Sequence, residues 1–251
     1  MQIRLFDFLN TYPYQRALEA GGLPYELFSD PRCLWEVCQA SPCEAALLPY
    51  GAVKPLHTGL TRWGIASRGQ VKSVLLIGEM PPSSWKRLVI DRRSLSSARI
   101  VRHLMEKKAL PLWTLLSENN EALDTSTGRL VIGDTALSLR EKYPYALDVG
   151  EIAYKQLNRG TVYAIWWMSA RVRGLLVRIW RRYLPQRWRW VEEAAQRYGF
   201  SPERVRAYWK TLHYRLPPIG RAYWRRVFNQ EEEKAKPSAA SEGDESLLLL
   251  S

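Results

Sequence analysis

Short apolar runs and stretches of helical spacing alternate along the first two thirds of the chain. Ile3–Phe6, Ala45–Leu48 (ending at Pro49), Val71–Ile77, Leu88–Ile90, Leu130–Ile132 and Thr161–Trp167 are too short for helices, and all but Ala45–Leu48 carry β-branched or aromatic residues. Runs of that kind suit buried strands. Between them lie helical patterns: Pro13–Ala20, stopped by Gly21-Gly22; a helix opened by Asp30-Pro31 and running to about Ala40; and Ile100–Lys107. Proline at the first turn, an Asp cap before it and glycine after the last turn are the physical start and stop signals. Leu130–Ile132 turns at Gly133, and Asp134 reads as the N-cap of a helix beginning at Thr135. Tyr25–Phe28 is a further possible strand. Ile65–Ile77, with Gly69 inside it, reads as a hairpin or one long crossing strand.

From Ser169 the pattern is helical. Val172, Leu175, Leu176, Ile179, Tyr183 and Leu184 recur at helical spacing, and Trp188–Tyr198 forms a second helix stopped by Gly199. Ser201-Pro202-Glu203 opens a third, with Val205, Tyr208, Trp209 and Leu212 on one face, broken by Pro217-Pro218. A short last helix, Arg221–Phe228, ends the ordered part. Residues 230–251 are rich in Glu, Ser, Ala and Lys and read as a disordered tail. The order of elements predicts an α/β protein of two lobes with a helical C-terminal segment. Residues 1–79 and 164–229 would form the first lobe and 80–163 the second, with the breaker cluster Met80–Ser84 as the crossing and the run from Thr161 as the return. Residues 118–128 read as an exposed turn region.

Composition narrows the function. The cysteines Cys33, Cys38 and Cys43 are spaced by five and form no C-x-x-C pair, so reduced thiols are expected rather than a disulfide framework. His57, His103 and His213 are far apart, and no metal or cofactor is expected. The first residues carry no apolar run of signal-peptide length, and nothing approaches the length of a membrane span; the reading is a cytoplasmic protein without membrane contact. The net charge is +12 and uneven: 15 Lys or Arg face 3 acids between Arg171 and Arg226. Seven tryptophans (Trp166, Trp167, Trp180, Trp188, Trp190, Trp209, Trp224) fall in or near that stretch. Arginines interleaved with aromatics can bind nucleic acid through phosphates and stacking. Helical spacing favours instead tryptophans packed inside, with arginine stems covering apolar surface.

Candidate chemistry lies at the strand-to-helix junctions. Asn10, Ser73, the Ser94, Ser96 and Ser97 cluster beside Arg92 and Arg93, and Asp134-Thr135 would all face a cleft between lobes. Helix N-termini with hydroxyls there can hold anionic oxygens. Asp134 is itself anionic, so its backbone neighbours would meet the ligand. The competing reading is plain helix capping.

These stretches together resemble chorismate dehydratase of the futalosine route to menaquinone, a family with the periplasmic-binding-protein fold. Phe8–Pro13 is similar to its opening Leu-Asn-x-x-Pro motif, and Gly69–Val74 to its Gly-x-Val-x-Ser segment. Ser94–Ser97 is similar to its Ser-x-Thr-Ser loop, with Ser96 for Thr, and Leu130–Leu137 to its Leu-Ile-Gly-Asp-x-Ala-Leu motif. Leu147–Gly150, Val162–Trp166 and Ser201–Tyr214 follow in the family's order. The chain departs from the family at Ala153, where a Trp is usual, and at Asn158–Thr161, where the family has Thr-Gly-Leu-Pro. The resemblance implies a hydro-lyase that removes water from chorismate, a dicarboxylate, to give 3-[(1-carboxyvinyl)oxy]benzoate. It implies Asn10 as a catalytic residue donating to the leaving hydroxyl, and Ser73, Ser94, Ser96, Ser97, Asp134 and Thr135 as substrate-binding. The base stays open: Asp7, Asp91 or a carboxylate of the substrate itself. The alternatives are the sister enzyme acting on cyclic dehypoxanthine futalosine (1,4-dihydroxy-6-naphthoate synthase type), a non-catalytic solute binder, and the nucleic-acid reading. A monomer or homodimer is expected.

Overall fold

The computed structural model describes residues 1–53, 59–117 and 124–234. His57, Asn119-Asn120 and the chain from residue 235 lie outside the described residues. The first lobe opens with β1 (Ile3–Phe6), α1 (Tyr12–Ala20), β2 (Glu26–Phe28), α2 (Pro31–Ala40), β3 (Ala45–Pro49) and β4 (Leu60–Ser67). The second contains β5 (Val74–Gly78), β6 (Arg87–Ile90), α3 (Leu95–Glu106), β7 (Thr114–Ser117), β8 (Thr127–Ile132), α4 (Gly133–Leu139), β9 (Tyr145–Asp148) and α5 (Val149–Leu157). The chain returns through β10 (Thr161–Met168), α6 (Ala170–Tyr183), α7 (Val191–Tyr198), α8 (Pro202–Trp209), β11 (Leu212–Arg215) and α9 (Pro218–Lys234).

Two sheets result, ordered β11-β4-β10-β3-β1-β2 and β7-β6-β8-β5-β9. β1 pairs parallel with β2 and β3, while β10 runs antiparallel to β3 and β4. In the second sheet β6 pairs parallel with β7 and β8, and β5 runs antiparallel to β8 and β9. Ala45–Pro49 and Val74–Gly78 are buried at every position, which is why they read as unbroken apolar runs rather than alternating ones. The Asp30 carboxylate caps α2, accepting from Arg32 N (2.8 Å) and Cys33 N (2.9 Å), as its sequence predicts.

Three boundaries differ from the sequence reading. The crossing between sheets lies at residues 68–73, not at Met80–Ser84, because β5 pairs on both edges within the second sheet. Pro82–Ser84 is a single 3₁₀ turn between β5 and β6. The crossing is held by buried Asp148, which accepts from Val71 N (3.0 Å) and Lys72 N (2.7 Å) and caps α5 through Glu151 N (3.1 Å). Leu212–Arg215 is a strand, not the end of a helix: Leu212 and Tyr214 are buried while His213 and Arg215 are exposed, a period of two. The helical spacing of Tyr208 and Leu212 conceals it. The last helix runs to Lys234, past the expected start of the tail.

The basic C-terminal segment packs by its aromatics. Trp166, Trp180, Trp209 and Trp224 are fully buried and Trp190 nearly so; only Trp188 of the seven is exposed. Tyr14 stands at the centre, edge-on to Trp166 (5.3 Å between centroids), Trp180 (4.9 Å) and Tyr214 (5.3 Å). Each such pair contributes about 0.5–1.5 kcal/mol beyond its buried area. The Arg187 guanidinium lies over the Trp188 and Tyr214 rings. These tryptophans are therefore core, and they offer no row of open stacking faces. Among the described residues no helix is long and apolar enough to cross a membrane.

Tyr14 also donates its hydroxyl to the Gly64 carbonyl (2.9 Å), with the Tyr214 carbonyl at 3.1 Å. Tyr14→Phe should therefore lower stability by about 1–2 kcal/mol by stranding buried carbonyls, and Tyr14→Ala by about 3–5 kcal/mol through a cavity. Urea denaturation checks both; equal losses would mean that the hydroxyl, not the ring, holds this centre.

Candidate functional site

A cavity enclosing roughly 490 Å³ of empty space, its mouth included, lies between the two sheets. Phe6, Phe8, Pro49, Ile65, Val74 and Ile132 form its apolar walls. Asn10, Ser73, Arg93, Ser94, Ser96, Ser97 and Tyr163 supply its polar side chains. These residues, from seven separate stretches, thus meet in one place.

The loop Phe8-Leu9-Asn10, between β1 and α1, is held at almost every backbone group. Thr11 Oγ1 accepts from Phe8 N (3.3 Å) and lies 2.7 and 2.8 Å from the carbonyls of Phe6 and Phe8. Leu9 N donates to both oxygens of Asp134 (3.0 and 3.2 Å). Trp209 Nε1 donates to the Leu9 carbonyl (3.1 Å), and the Tyr214 hydroxyl to the Asn10 carbonyl (2.9 Å). The Asn10 side chain is left facing the cavity. It is 9% exposed, and its Oδ1 is buried without a hydrogen-bond partner. The Asn10 amide thus stands at the cavity wall with its carbonyl oxygen unpaired.

The hydroxyls divide by task. Ser73 Oγ accepts from the Tyr208 hydroxyl (2.8 Å). Ser94 Oγ donates to the Asp91 carbonyl. Ser96 Oγ accepts from Gly51 N (2.9 Å) and donates to the Tyr163 carbonyl (2.7 Å). Both partners of Ser96 belong to the first lobe, so this serine stitches the lobes together. The Ser97 hydroxyl makes no hydrogen bond among the described residues and lines the cavity. It sits in the first turn of the 12-residue α3, where backbone N–H groups favour an anionic oxygen. Arg93 is the one cation among the described lining residues, and it forks onto buried Asp91 (Nη2 2.6 Å, Nε 3.0 Å). The pair delivers donors to the cleft with little net charge.

Asp134 and Thr135 depart from expectation. The helix starts at Gly133, so Asp134 is not its cap; its carboxylate reaches instead across the cleft to Leu9 N. Gly133 (φ +64°) underlies the Phe8 ring, and a Cβ there would meet it at 2.8 Å. Only glycine allows both that backbone and that approach. Thr135 is exposed on the outer side of α4 and does not line the cavity. Burial pushes the Asp134 carboxyl up to about 7, against the opposing Leu9 N–H.

Of the candidate bases, Asp7 is held by the Tyr198 hydroxyl, Gln15 (3.0 Å) and Arg197 (2.9 Å). Burial would raise its carboxyl, but these bonds outweigh it and hold it below the usual range. Asp91 is committed to Arg93. The sequence reading missed Tyr163, whose hydroxyl lies 3.3 Å from Ser67 Oγ, and missed the roles of Tyr208, Trp209 and Tyr214. Those three aromatics read only as core, because their helical and alternating spacing says nothing of where a hydroxyl or indole N–H points. Among the described residues no three His, Cys, Asp or Glu side chains gather as a metal site.

A family model described as menaquinone biosynthesis matches residues 1–233. Comparison with curated proteins gives no match. Among solved structures, a protein from Archaeoglobus fulgidus is similar with a TM-score of 0.69 at 14% identity, over 93% of this chain and 97% of that one. The alkanesulfonate-binding protein SsuA from Xanthomonas axonopodis pv. citri, bound to MOPS, gives 0.60 at 13% identity, over 93% and 91%. A Candida albicans gene product with the generic periplasmic-binding-protein fold gives 0.59 at 10% identity, over 96% and 92%. These likenesses establish the fold: a two-lobed α/β protein of the periplasmic-binding-protein type.

Two expectations follow from the seam. Ser96→Ala strands the Gly51 N–H and the Tyr163 carbonyl, and should cost about 1–3 kcal/mol of stability, whereas Ser97→Ala should leave stability unchanged. Thermal melts of the two variants separate the seam serine from the ligand-facing one, and equal melting temperatures would refute the division. Asp134, with its folded pKa raised above the unfolded value, stabilises fully below about pH 4 and loses that contribution as pH rises to about 7, at about 1.4 kcal/mol per pH unit. Asp134→Asn should remove this slope between pH 4 and 7 while keeping the bond from Leu9 N. Denaturation curves of both proteins across that window should diverge; parallel curves would show that Asp134 ionises freely.

Proposed function

Because the chain belongs to the menaquinone biosynthesis family, we propose that it is a chorismate dehydratase, a hydro-lyase yielding 3-[(1-carboxyvinyl)oxy]benzoate and water. The observation that carries this reading is convergence. Asn10, Ser73, the Ser94–Ser97 loop and Gly133, each from a different motif of the resemblance, line one cavity.

The chemistry fits the lining. The C3 proton and the 4-hydroxyl leave, and the ring becomes aromatic, which supplies the driving force. No electrons are gained or lost, so the elimination draws on no redox partner. One carboxylate of the substrate would sit at the first turn of α3, near Ser97 and Arg93. The Asn10 side-chain N–H would donate to the 4-hydroxyl and stabilise the charge that develops on it as it leaves. Among the described lining residues there is no acid or histidine to act as base. The enolpyruvyl carboxylate of the substrate, attached beside C3, would take the proton and pass it to the departing hydroxyl, which leaves as water. Phe6, Phe8, Ile65 and Ile132 keep bulk water from the ring.

Incubation with chorismate, followed by absorbance and mass for the aromatic ether, tests the reading directly. Asn10→Asp keeps an acceptor oxygen but loses the donating N–H and brings negative charge towards a dianion. It should stay folded and lose at least about tenfold in kcat, roughly 1.4 kcal/mol of transition-state stabilisation. Binding without turnover in the unaltered protein would favour a solute-binding role, and turnover of cyclic dehypoxanthine futalosine instead would move the protein to the sister reaction. Near-native turnover by Asn10→Asp would remove Asn10 from the chemistry.

A further inference from the structure

Away from the cleft, two thiols meet where α2 ends. Cys38 lies in the last turn of α2 and Cys43 in the loop entering β3, and their sulfurs are 3.9 Å apart. Both are free and half-buried. A buried cation stands against the turn that joins them: Arg4 of β1, 4% exposed, donates to Glu26 Oε2 (2.9 Å) and to the Ser41 carbonyl (2.9 Å). Cys33 is engaged elsewhere, its thiol donating to Asp30 Oδ2 (3.3 Å). The hydrogen bond from Cys43 brings the Cys38 thiol down to about 7, with burial opposing and Arg4 assisting; Cys43 is pushed up by that same bond and by burial. The two sulfurs are thus unequal: one is disposed to be a thiolate, and the other holds its proton beside it.

We propose that Cys38 and Cys43 form a reversible redox pair, in which Cys38 attacks a small-molecule disulfide and Cys43 resolves the adduct. In the first step the Cys38 thiolate attacks one sulfur of the disulfide. Its S–S bond breaks, and one small thiolate departs and takes a proton from solvent. In the second step Cys43 loses its proton to solvent and attacks Cys38 Sγ, expelling the second small thiolate. Two protein thiols are oxidised by two electrons, and one small disulfide is reduced to two thiols. The sulfurs must close from 3.9 Å to about 2 Å, over four intervening residues that leave the helix at Ser41. A neighbouring cation and partial exposure are the surroundings in which a thiol reacts, whereas an inert structural cysteine is buried among apolar groups. The pair is tied to the cleft at both ends: β1 runs from Arg4 into Phe6, and α2 starts at Pro31, both of which line the cavity.

The test uses the full chain, oxidised glutathione, and alkylation of the remaining thiols. Cleavage after Glu36 and Glu44 isolates residues 37–44, which hold Cys38 and Cys43 but not Cys33. The expected product is that peptide, lighter by two hydrogens and unalkylated, reverting with dithiothreitol, while Cys33 is alkylated. Cys43→Ser should retain a stable glutathione adduct on Cys38. Cys38→Ser, which leaves Cys43 without its partner sulfur, should give no bridged peptide. Full alkylation of both thiols after oxidation, a bridge that includes Cys33, or a Cys43→Ser variant that takes no adduct on Cys38 would each overturn the proposal.

Discussion

The backbone of Phe8, Leu9 and Asn10 is the constraint on which the site depends. A tight loop at the mouth of a cleft carries donors and acceptors that must be satisfied once water is excluded. Here they are satisfied from far away in the chain: Asp134 takes the Leu9 N–H, Trp209 supplies the Leu9 carbonyl and Tyr214 the Asn10 carbonyl. Three elements therefore have to be docked before this loop has one conformation. With the backbone satisfied, the one unmet demand is Oδ1 of Asn10. A buried amide carbonyl without a donor is unfavourable, and a ligand that offers a donor relieves it. The loop's rigidity and its appetite for a donor have the same origin.

The same contacts close the lobes. Asp134 to Leu9, Ser96 to Gly51 and Tyr163, and Tyr208 to Ser73 all span from one sheet or its C-terminal helices to the other, or to the crossing between them. Most of these bonds are neutral, and the Asp91–Arg93 pair brings almost no net charge. The cavity is accordingly apolar in its walls and sparing in its polar groups. That is the composition expected of a site for one small molecule whose orientation matters. In the proposed reaction, anion recognition would fall to the first turn of α3, a fixed dipole that needs no buried free charge.

The basic, tryptophan-rich end of the chain serves this arrangement from behind. Tyr14, Trp166, Trp180 and Tyr214 interlock edge to face, which fixes α6 and β11 on the first sheet and so aims the Tyr214 hydroxyl at the loop. The Arg187 guanidinium of the same segment lies on the Trp188 and Tyr214 rings and so helps to cover them. A strongly positive segment here is the outer side of an aromatic core.

By itself the sequence determined most of the elements and the two-lobed class, because apolar runs, an Asp cap before Pro31 and prolines at first turns act locally. It also indicated Asn10, Ser73 and Ser94–Ser97, since strand-to-helix junctions collect at one end of a sheet wherever the strands lie. It could not separate the serines, which differ only in what folds against them: Ser96 against Gly51 and Tyr163, Ser97 against the open cavity. It misread Asp134 as a cap, because a carboxylate after a glycine looks the same whether its N–H partner is two residues away or on the facing lobe. It placed the crossing at Met80–Ser84 because prolines break strands visibly, whereas the real crossing is set by Asp148 binding the backbone of Val71 and Lys72. Local signals report the backbone's preference for helix, strand or turn. Which donor meets which acceptor across the cleft is decided by packing, when residues some two hundred positions apart come into contact.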